Sequence, residues 1–306
     1  MFDNNNPRYI NISGVVKLFV AMSKRKRLIE LNTDLLLPEN EIITGNNIEI
    51  LKTFPDNSVP LIITSPNYNN YRNIRTDKSK KDYWDKTNIV YKGECTDNEP
   101  EEIYQQKQIV IINEMVRVLK PDGVIVYNHK DRYDKFTYIS PMEWIEKSNA
   151  VKYQPIIWDR GGPGGLQNPC RFYRTYEYLY ILSKSRKQSK WNKKAAKYGD
   201  IWRIQPAKTT KKYDHAVPFP GELVRRCVLA FTNEGDIVLD PYNGSGTTTK
   251  VAYDLNRKYI GIDIYDGYCK TAQKRIEEEE PFEWFNPKYD ILNEHTSYHN
   301  IVQKIK

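Results

Sequence analysis

The stretch Val238-Leu-Asp-Pro-Tyr-Asn-Gly-Ser-Gly-Thr-Thr-Thr249 decides the fold. It reads as a buried strand ending at Asp240, a glycine turn, and a helix that starts near Thr247. Gly244 and Gly246 let a ligand lie against bare backbone where the first N–H groups of the helix have no partner. Neither G-x-x-x-x-G-K-[ST] nor G-x-G-x-x-G fits, which disfavours phosphate or dinucleotide binding. The next strand, Arg257-Lys-Tyr-Ile-Gly-Ile-Asp263, ends in a carboxylate placed as a ribose diol needs its acceptor. The other reading of Asp263 is a helix N-cap before Tyr265.

Outward from this unit, apolar strand-like runs alternate with helical periodicity, the pattern of an α/β fold with a mostly parallel sheet. Strands are predicted at Glu41–Thr44, Pro60–Thr64, Gly123–Asn128, Tyr153–Trp158, Tyr176–Leu182, Asp236–Asp240 and Tyr259–Asp263. Helices are predicted at Gln106–Leu119, Gly221–Phe231, Thr247–Leu255 and Tyr268–Glu278, with Lys120-Pro-Asp-Gly123 stopping the first. Two segments break the rhythm, Asn69–Glu102 and Ser183–Tyr213. Loops of that length inside a compact domain are functional or disordered. No internal repeat is present.

The chain has 306 residues, 39% hydrophobic and 28% charged, a globular profile. Its longest apolar stretch, Val15–Met22, is interrupted by Lys17, so no membrane segment is expected. The N-terminus lacks the features of a secretory signal, which predicts a cytoplasmic location. Cys95, Cys170, Cys227 and Cys269 are far apart and form no metal-binding or disulfide framework. The formal charge of +8 is uneven: Lys184 to Lys212 carries eleven basic residues against one acid, Asp200. A polyanionic partner fits this, as does a solvated lysine-rich face.

Leu61-Ile-Ile-Thr-Ser-Pro-Asn-Tyr68 is an apolar strand running into a rigid polar turn closed by an aromatic. Pro66 fixes φ and cannot donate, the Ser65 hydroxyl can hold an amino group, and Tyr68 can stack on a base. Elsewhere, Arg160–Gly165 reads as a hinge or a tight turn, and His129 as a structural histidine or one that faces the pocket.

Together these motifs resemble the amino-methyltransferase family of DNA modification enzymes, in the permuted arrangement with the catalytic motif ahead of the cofactor motif. The family's S/D-P-P-Y/F/W stands here as Ser65-Pro66-Asn67-Tyr68, its D-P-F-x-G-S-G-T as Asp240–Thr247, and its H-P-A-P-F-P as His215–Pro220. The lead-in resembles Gly45-Asn46 through Leu51 and Ser58–Ile62, and R-V-L-K-P-x-G is intact at Arg117–Gly123.

The resemblance implies a Rossmann-like S-adenosylmethionine-dependent methyltransferase fold, with helices on both sheet faces and a small target-recognition insert. Residues 1–40 are expected to be an N-terminal extension, 41–182 the catalytic half, 183–213 the basic insert, 214–280 the cofactor half and 281–306 a tail. Ser65, Pro66, Asn67 and Tyr68 would be catalytic, and Asn46, Phe219, Pro220, Asp240, Tyr242, Gly244, Ser245, Gly246, Thr247 and Asp263 would hold S-adenosylmethionine. Lys190, Trp191, Lys193, Lys194, Trp202 and Arg203 would meet DNA. No metal is implied. Cys227 and Cys269 lie in helix-like segments, which argues against carbon-5 chemistry.

The expected reaction is methyl transfer to cytosine N4 in a flipped-out base of double-stranded DNA. The alternatives are adenine N6, or a catalytically weak homologue that only binds DNA or S-adenosylmethionine. A cognate restriction endonuclease is the expected partner, and the chain is expected to be monomeric or dimeric. Two positions depart from the family: Asn67 replaces a proline and restores backbone freedom, and Asn46 replaces an aspartate but keeps an acceptor oxygen.

Overall fold

The computed structural model describes residues 37–69, 99–134, 137–162, 170–186, 191–207 and 220–278, with the backbone of three further strands nearer the N-terminus. Contacts divide the chain into two units, Met1–Leu37 and Pro38–Lys306. In the first, β1 (Tyr9–Ile12), β2 (Val15–Phe19) and β3 (Leu28–Leu31) form an antiparallel sheet in that order, with Ile12 opposite Val15 and Phe19 opposite Leu28. Sequence patterning predicted no strands here. The runs are only four or five residues long, yet they are rich in β-branched and aromatic types that favour extended backbone.

The second unit is built on an eight-stranded sheet. Its strands are β4 (Glu41–Thr44), β5 (Val59–Thr64), β6 (Leu119–His129), β9 (Val151–Asp159), β10 (Tyr176–Ser183), β11 (Ile201–Arg203), β12 (Ile237–Asp240) and β13 (Lys258–Asp263). They lie in the order β11-β9-β10-β6-β5-β12-β13-β4. From β6 to β4 every pairing is parallel, whereas β10 runs antiparallel to both its neighbours. Helices α1 (Asn47–Lys52), α2 (Glu101–Val118) and α3 (Met142–Ile145) pack in one series, and α4 (Gly221–Phe231), α5 (Thr247–Asp254) and α6 (Asp266–Glu278) in another. A hairpin of β7 (Arg132–Asp134) and β8 (Thr137–Ile139) follows β6.

All seven predicted strands and all four predicted helices are present, with shifted ends in all but Glu41–Thr44 and Gly221–Phe231. The fold is the expected α/β one. Lys120–Gly123 is a correction: the helix stops at Val118, and the tetrapeptide already belongs to β6, where the register with β5 shifts between Val59 and Leu61. A Cβ on Gly123 would come within 2.8 Å of the Pro60 carbonyl, so this bulge requires glycine.

The sheet places the site. The chain turns one way from β5 to β6 and the other way from β12 to β13, so the carboxyl ends of β5 and β12 flank the reversal point where α/β sheets bind ligands. The core beneath is formed by apolar residues of β5, β6, β9, β10 and β12 against α4 and α5, including Leu61, Val126, Leu179, Leu223 and Val228.

Candidate active site

On the cofactor side, β12 delivers Asp240 into a buried position. Its carboxylate accepts the Thr64 hydroxyl at 2.9 Å and the Tyr242 amide at 3.0 Å. Burial pushes the Asp240 carboxyl up to about 6, against those hydrogen bonds and one from Thr248. The turn then passes through Gly244 and Gly246 at φ +50° and +81°. A Cβ on Gly246 would lie 2.5 Å from that of Ala272, so α5 and α6 meet there at glycine distance.

Asp263, at the tip of β13, accepts the Gly244 amide on one oxygen and the Tyr265 amide on the other, both at 2.9 Å. The local bond to Tyr265 and the contact with the glycine turn therefore coexist. Burial raises the Asp263 carboxyl above its ordinary value. Ser245 and Thr247 are buried beside Arg275 of α6, whose guanidinium donates to the Ser245 carbonyl at 2.8 Å. Sequence reasoning missed Arg275, because nothing in the helical pattern marks a buried arginine that braces a distant turn.

Other predicted cofactor residues are placed less directly. The Asn46 oxygen accepts the Ile48 and Glu49 amides as the N-cap of α1, and its neighbour Asn47 donates to the Pro241 carbonyl at 3.0 Å. Pro220 is buried at the start of α4, Tyr242 is half-buried in the turn, and Phe219 lies outside the described residues.

The catalytic turn forms a dense polar cluster. Ser65 Oγ donates to Asn128 Oδ1 at 3.0 Å and lies 2.9 Å from the Tyr68 hydroxyl. That hydroxyl is 2.6 Å from Asn128 Oδ1 and 3.0 Å from Glu177 Oε2. Asn128 is oriented by its own amide N–H, which donates to the Tyr178 carbonyl, so its oxygen faces the cluster. Glu177 is held by Arg160 at 2.9 Å, and its side chain is 7% exposed. Burial, reinforced by the Glu177 charge, pushes the Tyr68 hydroxyl well above its usual pKa. Neither Asn128 nor Glu177 was foreseen: each lies inside an apolar strand pattern, where a lone polar residue carries little signal.

The freedom that Asn67 restores is taken up elsewhere. The Tyr104 hydroxyl, on α2, donates to the Asn67 carbonyl at 2.6 Å. Its oxygen is 2.8 Å from His129 Nε2, while His129 Nδ1 lies 2.8 Å from the Lys130 carbonyl and accepts the Lys130 amide at 2.9 Å. His129 is fully buried, and burial together with Arg132 pulls its pKa well below the ordinary value. It is a structural neutral histidine, with its ring 4.5 Å from that of Tyr68. Beyond the turn, Asn69 and Glu99 exchange hydrogen bonds at 2.8 and 2.9 Å.

The basic segment departs most from expectation. Lys193–Tyr198 is a 3-10 helix, and β11 joins the main sheet beside β9. Trp202 is 4% exposed in the core, with its indole N–H donating to the Gly199 carbonyl, and Trp191 packs edge-on against Phe231. Trp202 thus lies within the core and Trp191 is partly buried against it, so both tie the segment to the body of the domain. Lys193, Lys194 and Arg203 are exposed, with Arg203 paired to Asp159 at 2.8 Å. Lys190 lies outside the described residues.

The N6/N4 methyltransferase family model, described as DNA methylase, matches residues 59–274. The type II methyltransferase M.HpaI of Haemophilus parainfluenzae is 30% identical over 258 residues, spanning 79% of this chain and 75% of that one. M.BglII of Bacillus subtilis is 29% identical over 297 residues, spanning 86% and 76%. Among solved structures, the cytosine-N4-specific PvuII DNA methyltransferase superposes with a TM-score of 0.60 at 19% identity, covering 87% of this chain and 91% of that one. M1.HpyAVI in complex with S-adenosylmethionine gives 0.52 at 22% identity, covering 77% and 98%. With its two motif-bearing strands joined at the sheet's reversal point and the family match running across both, the chain belongs to the N6/N4 DNA methylase family, the S-adenosylmethionine-dependent DNA methyltransferases.

Proposed function

We propose that the chain methylates the exocyclic amino nitrogen of a base in double-stranded DNA, with cytosine N4 as the target. One observation carries the amino-group assignment. Ser65, Tyr68, Asn128 and Glu177 make four oxygen–oxygen contacts of 2.6, 2.9, 3.0 and 3.0 Å but have only two hydroxyl protons to place in them. Asn128 Oδ1 and the Glu177 carboxylate only accept. The cluster has acceptors to spare, and an amino group, with two N–H donors, is the complementary ligand.

The cofactor side fits S-adenosylmethionine. Each Asp263 oxygen accepts one backbone amide and keeps a lone pair for a ribose hydroxyl, and Gly244–Gly246 leave backbone bare at the start of α5. When bound there, S-adenosylmethionine supplies an electrophilic methyl group on its sulfonium. Ser65 accepts one amine hydrogen, drawing the nitrogen lone pair out of conjugation with the ring, and the Tyr68 ring packs on the base. The exposed Lys193, Lys194 and Arg203 face phosphates.

Cytosine is favoured because Ser65 stands where adenine enzymes of the family more often carry aspartate, and the PvuII enzyme, of like fold, is named cytosine-N4-specific. The hold of Tyr104 on Asn67 speaks against a slack, inactive turn. The test is to incubate DNA with the purified protein and labelled S-adenosylmethionine, digest it and separate the nucleosides. N4-methylcytosine is expected; N6-methyladenine alone overturns the choice of base, and no label in any DNA overturns the enzyme reading.

A further inference from the structure

We infer that Glu177 is a positioning residue that sets the direction of the hydroxyl protons at the catalytic turn, so that Ser65 offers lone pairs to the incoming amine. The inference rests on the amino-methyltransfer reading and deepens it. Glu177 stands outside the Ser65–Tyr68 motif, at the second residue of β10. It is buried, and its other oxygen is fixed by Arg160 at 2.9 Å, which leaves Oε2 aimed at the Tyr68 hydroxyl.

Proton accounting gives the role. Tyr68 has one proton and three oxygens within reach, those of Glu177, Asn128 and Ser65. The carboxylate is the charged one, and a hydrogen bond to a charged acceptor is roughly twice as strong as one between neutral groups. Distance alone favours Asn128 Oδ1, 2.6 Å from the hydroxyl against 3.0 Å for Glu177 Oε2, so in the inferred order it is the carboxylate's charge that draws the Tyr68 proton to Glu177. Asn128 Oδ1 then receives the Ser65 proton, and Ser65 Oγ keeps both lone pairs while Asn128 keeps one. Without a carboxylate at 177, the Tyr68 proton turns to Asn128 or Ser65 and consumes an acceptor position that the amine needs.

Glu177→Gln inverts this order with almost no change of shape. Arg160 can only donate, so it takes the amide oxygen of the new side chain, and the NH2 group is left facing Tyr68. That group donates to Tyr68, whose own proton is driven into the Ser65–Asn128 pair. Single-turnover methyl transfer is expected to fall about 100-fold, on the scale of a lost transition-state hydrogen bond. The dissociation constants for S-adenosylmethionine and DNA should stay within about twofold, because no group that contacts them is removed.

The deciding variant is Glu177→Gln combined with Tyr68→Phe. Removing the misdirected hydroxyl should raise transfer about tenfold or more above Glu177→Gln alone, to the level of Tyr68→Phe alone. A double variant no faster than Glu177→Gln overturns the inference and makes Glu177 a purely structural partner of Arg160. A second measurement needs no activity. The 13Cζ resonance of Tyr68, identified by its loss in Tyr68→Phe, should move in Glu177→Gln as the hydroxyl changes from donor to acceptor at residue 177. An unmoved resonance overturns the proton order even in an active enzyme. Failure of the wild type to methylate DNA with the resonance shift intact overturns the amino-methyltransfer reading, and with it the catalytic role of Glu177, while the proton order stands.

Discussion

Thr64, the last residue of β5, donates its hydroxyl proton to Asp240, the last residue of β12, at 2.9 Å. This bond ties the strand that carries the catalytic turn to the strand that carries the glycine turn. Because burial raises the Asp240 carboxyl from 3.8 to about 6, the folded state holds its proton more tightly than the unfolded chain does. The stability this contributes is complete below about pH 4 and is lost as the pH climbs through about 6. Asp240→Asn should therefore be no more stable than wild type at pH 4 and should gain on it by pH 7, by an amount on the order of 3 kcal/mol for a shift of this size. Melting temperatures of both proteins across that range provide the check, and a constant offset would refute the assignment.

Ser65→Ala removes the acceptor from the catalytic turn but touches nothing on the cofactor side. Methyl transfer should fall by about 100-fold or more, with S-adenosylmethionine binding retained in calorimetry. Near-normal methylation of specific DNA by the variant would remove Ser65 from the mechanism.

Tyr104→Phe deletes the hydroxyl that holds the Asn67 carbonyl and that contacts His129 Nε2. A loss of about 1 kcal/mol in stability is expected from the deleted hydrogen bonds. A looser turn should also lower kcat by about tenfold while leaving the S-adenosylmethionine affinity unchanged. An unchanged kcat would show that Asn67 needs no support from α2.

The basic segment offers a paired test. Replacing Lys193 and Lys194 with Gln should weaken DNA binding and flatten its salt dependence by up to roughly two counterions, while the melting temperature holds. Trp202→Ala should do the opposite, costing about 3–5 kcal/mol of stability through the core cavity. Salt-dependent affinity combined with thermal melting separates the two. A Trp202→Ala protein that melts like wild type but binds DNA poorly would return Trp202 to the interface.

The parts of this molecule governed by local rules were legible in the sequence. Val238–Thr249 contains a buried strand, two glycines with positive φ and a helix start, all specified within twelve residues. Gly221–Phe231 was located to the residue, since its amphipathic spacing and Pro220 mark its limits. Trp202 was misjudged because a tryptophan among lysines reads as a surface aromatic, whereas three residues of β11 suffice to carry it into the core. Glu177, Asn128, Tyr104 and Arg275 went unrecognised for one common reason. Each acts on a partner at least 30 residues away, and only the folded topology brings those pairs together.

The strand order also bears on how the chain folds during synthesis. β4 is made first in its unit, yet its partner in the sheet is β13, whose Ile260 pairs with Glu41 and Asp263 with Thr44. Until the ribosome has released those residues, β4 has no neighbour, and the slot between β4 and β5 stays open for the late pair β12–β13. Such far-reaching pairings slow folding and prolong the exposure of unpaired edges in the nascent chain. The protein should thus be sensitive to translation pauses and to holding chaperones over its last third. A ribosome stalled before Lys258 should carry a protease-sensitive chain, and release past α6 should protect the whole sheet in one step.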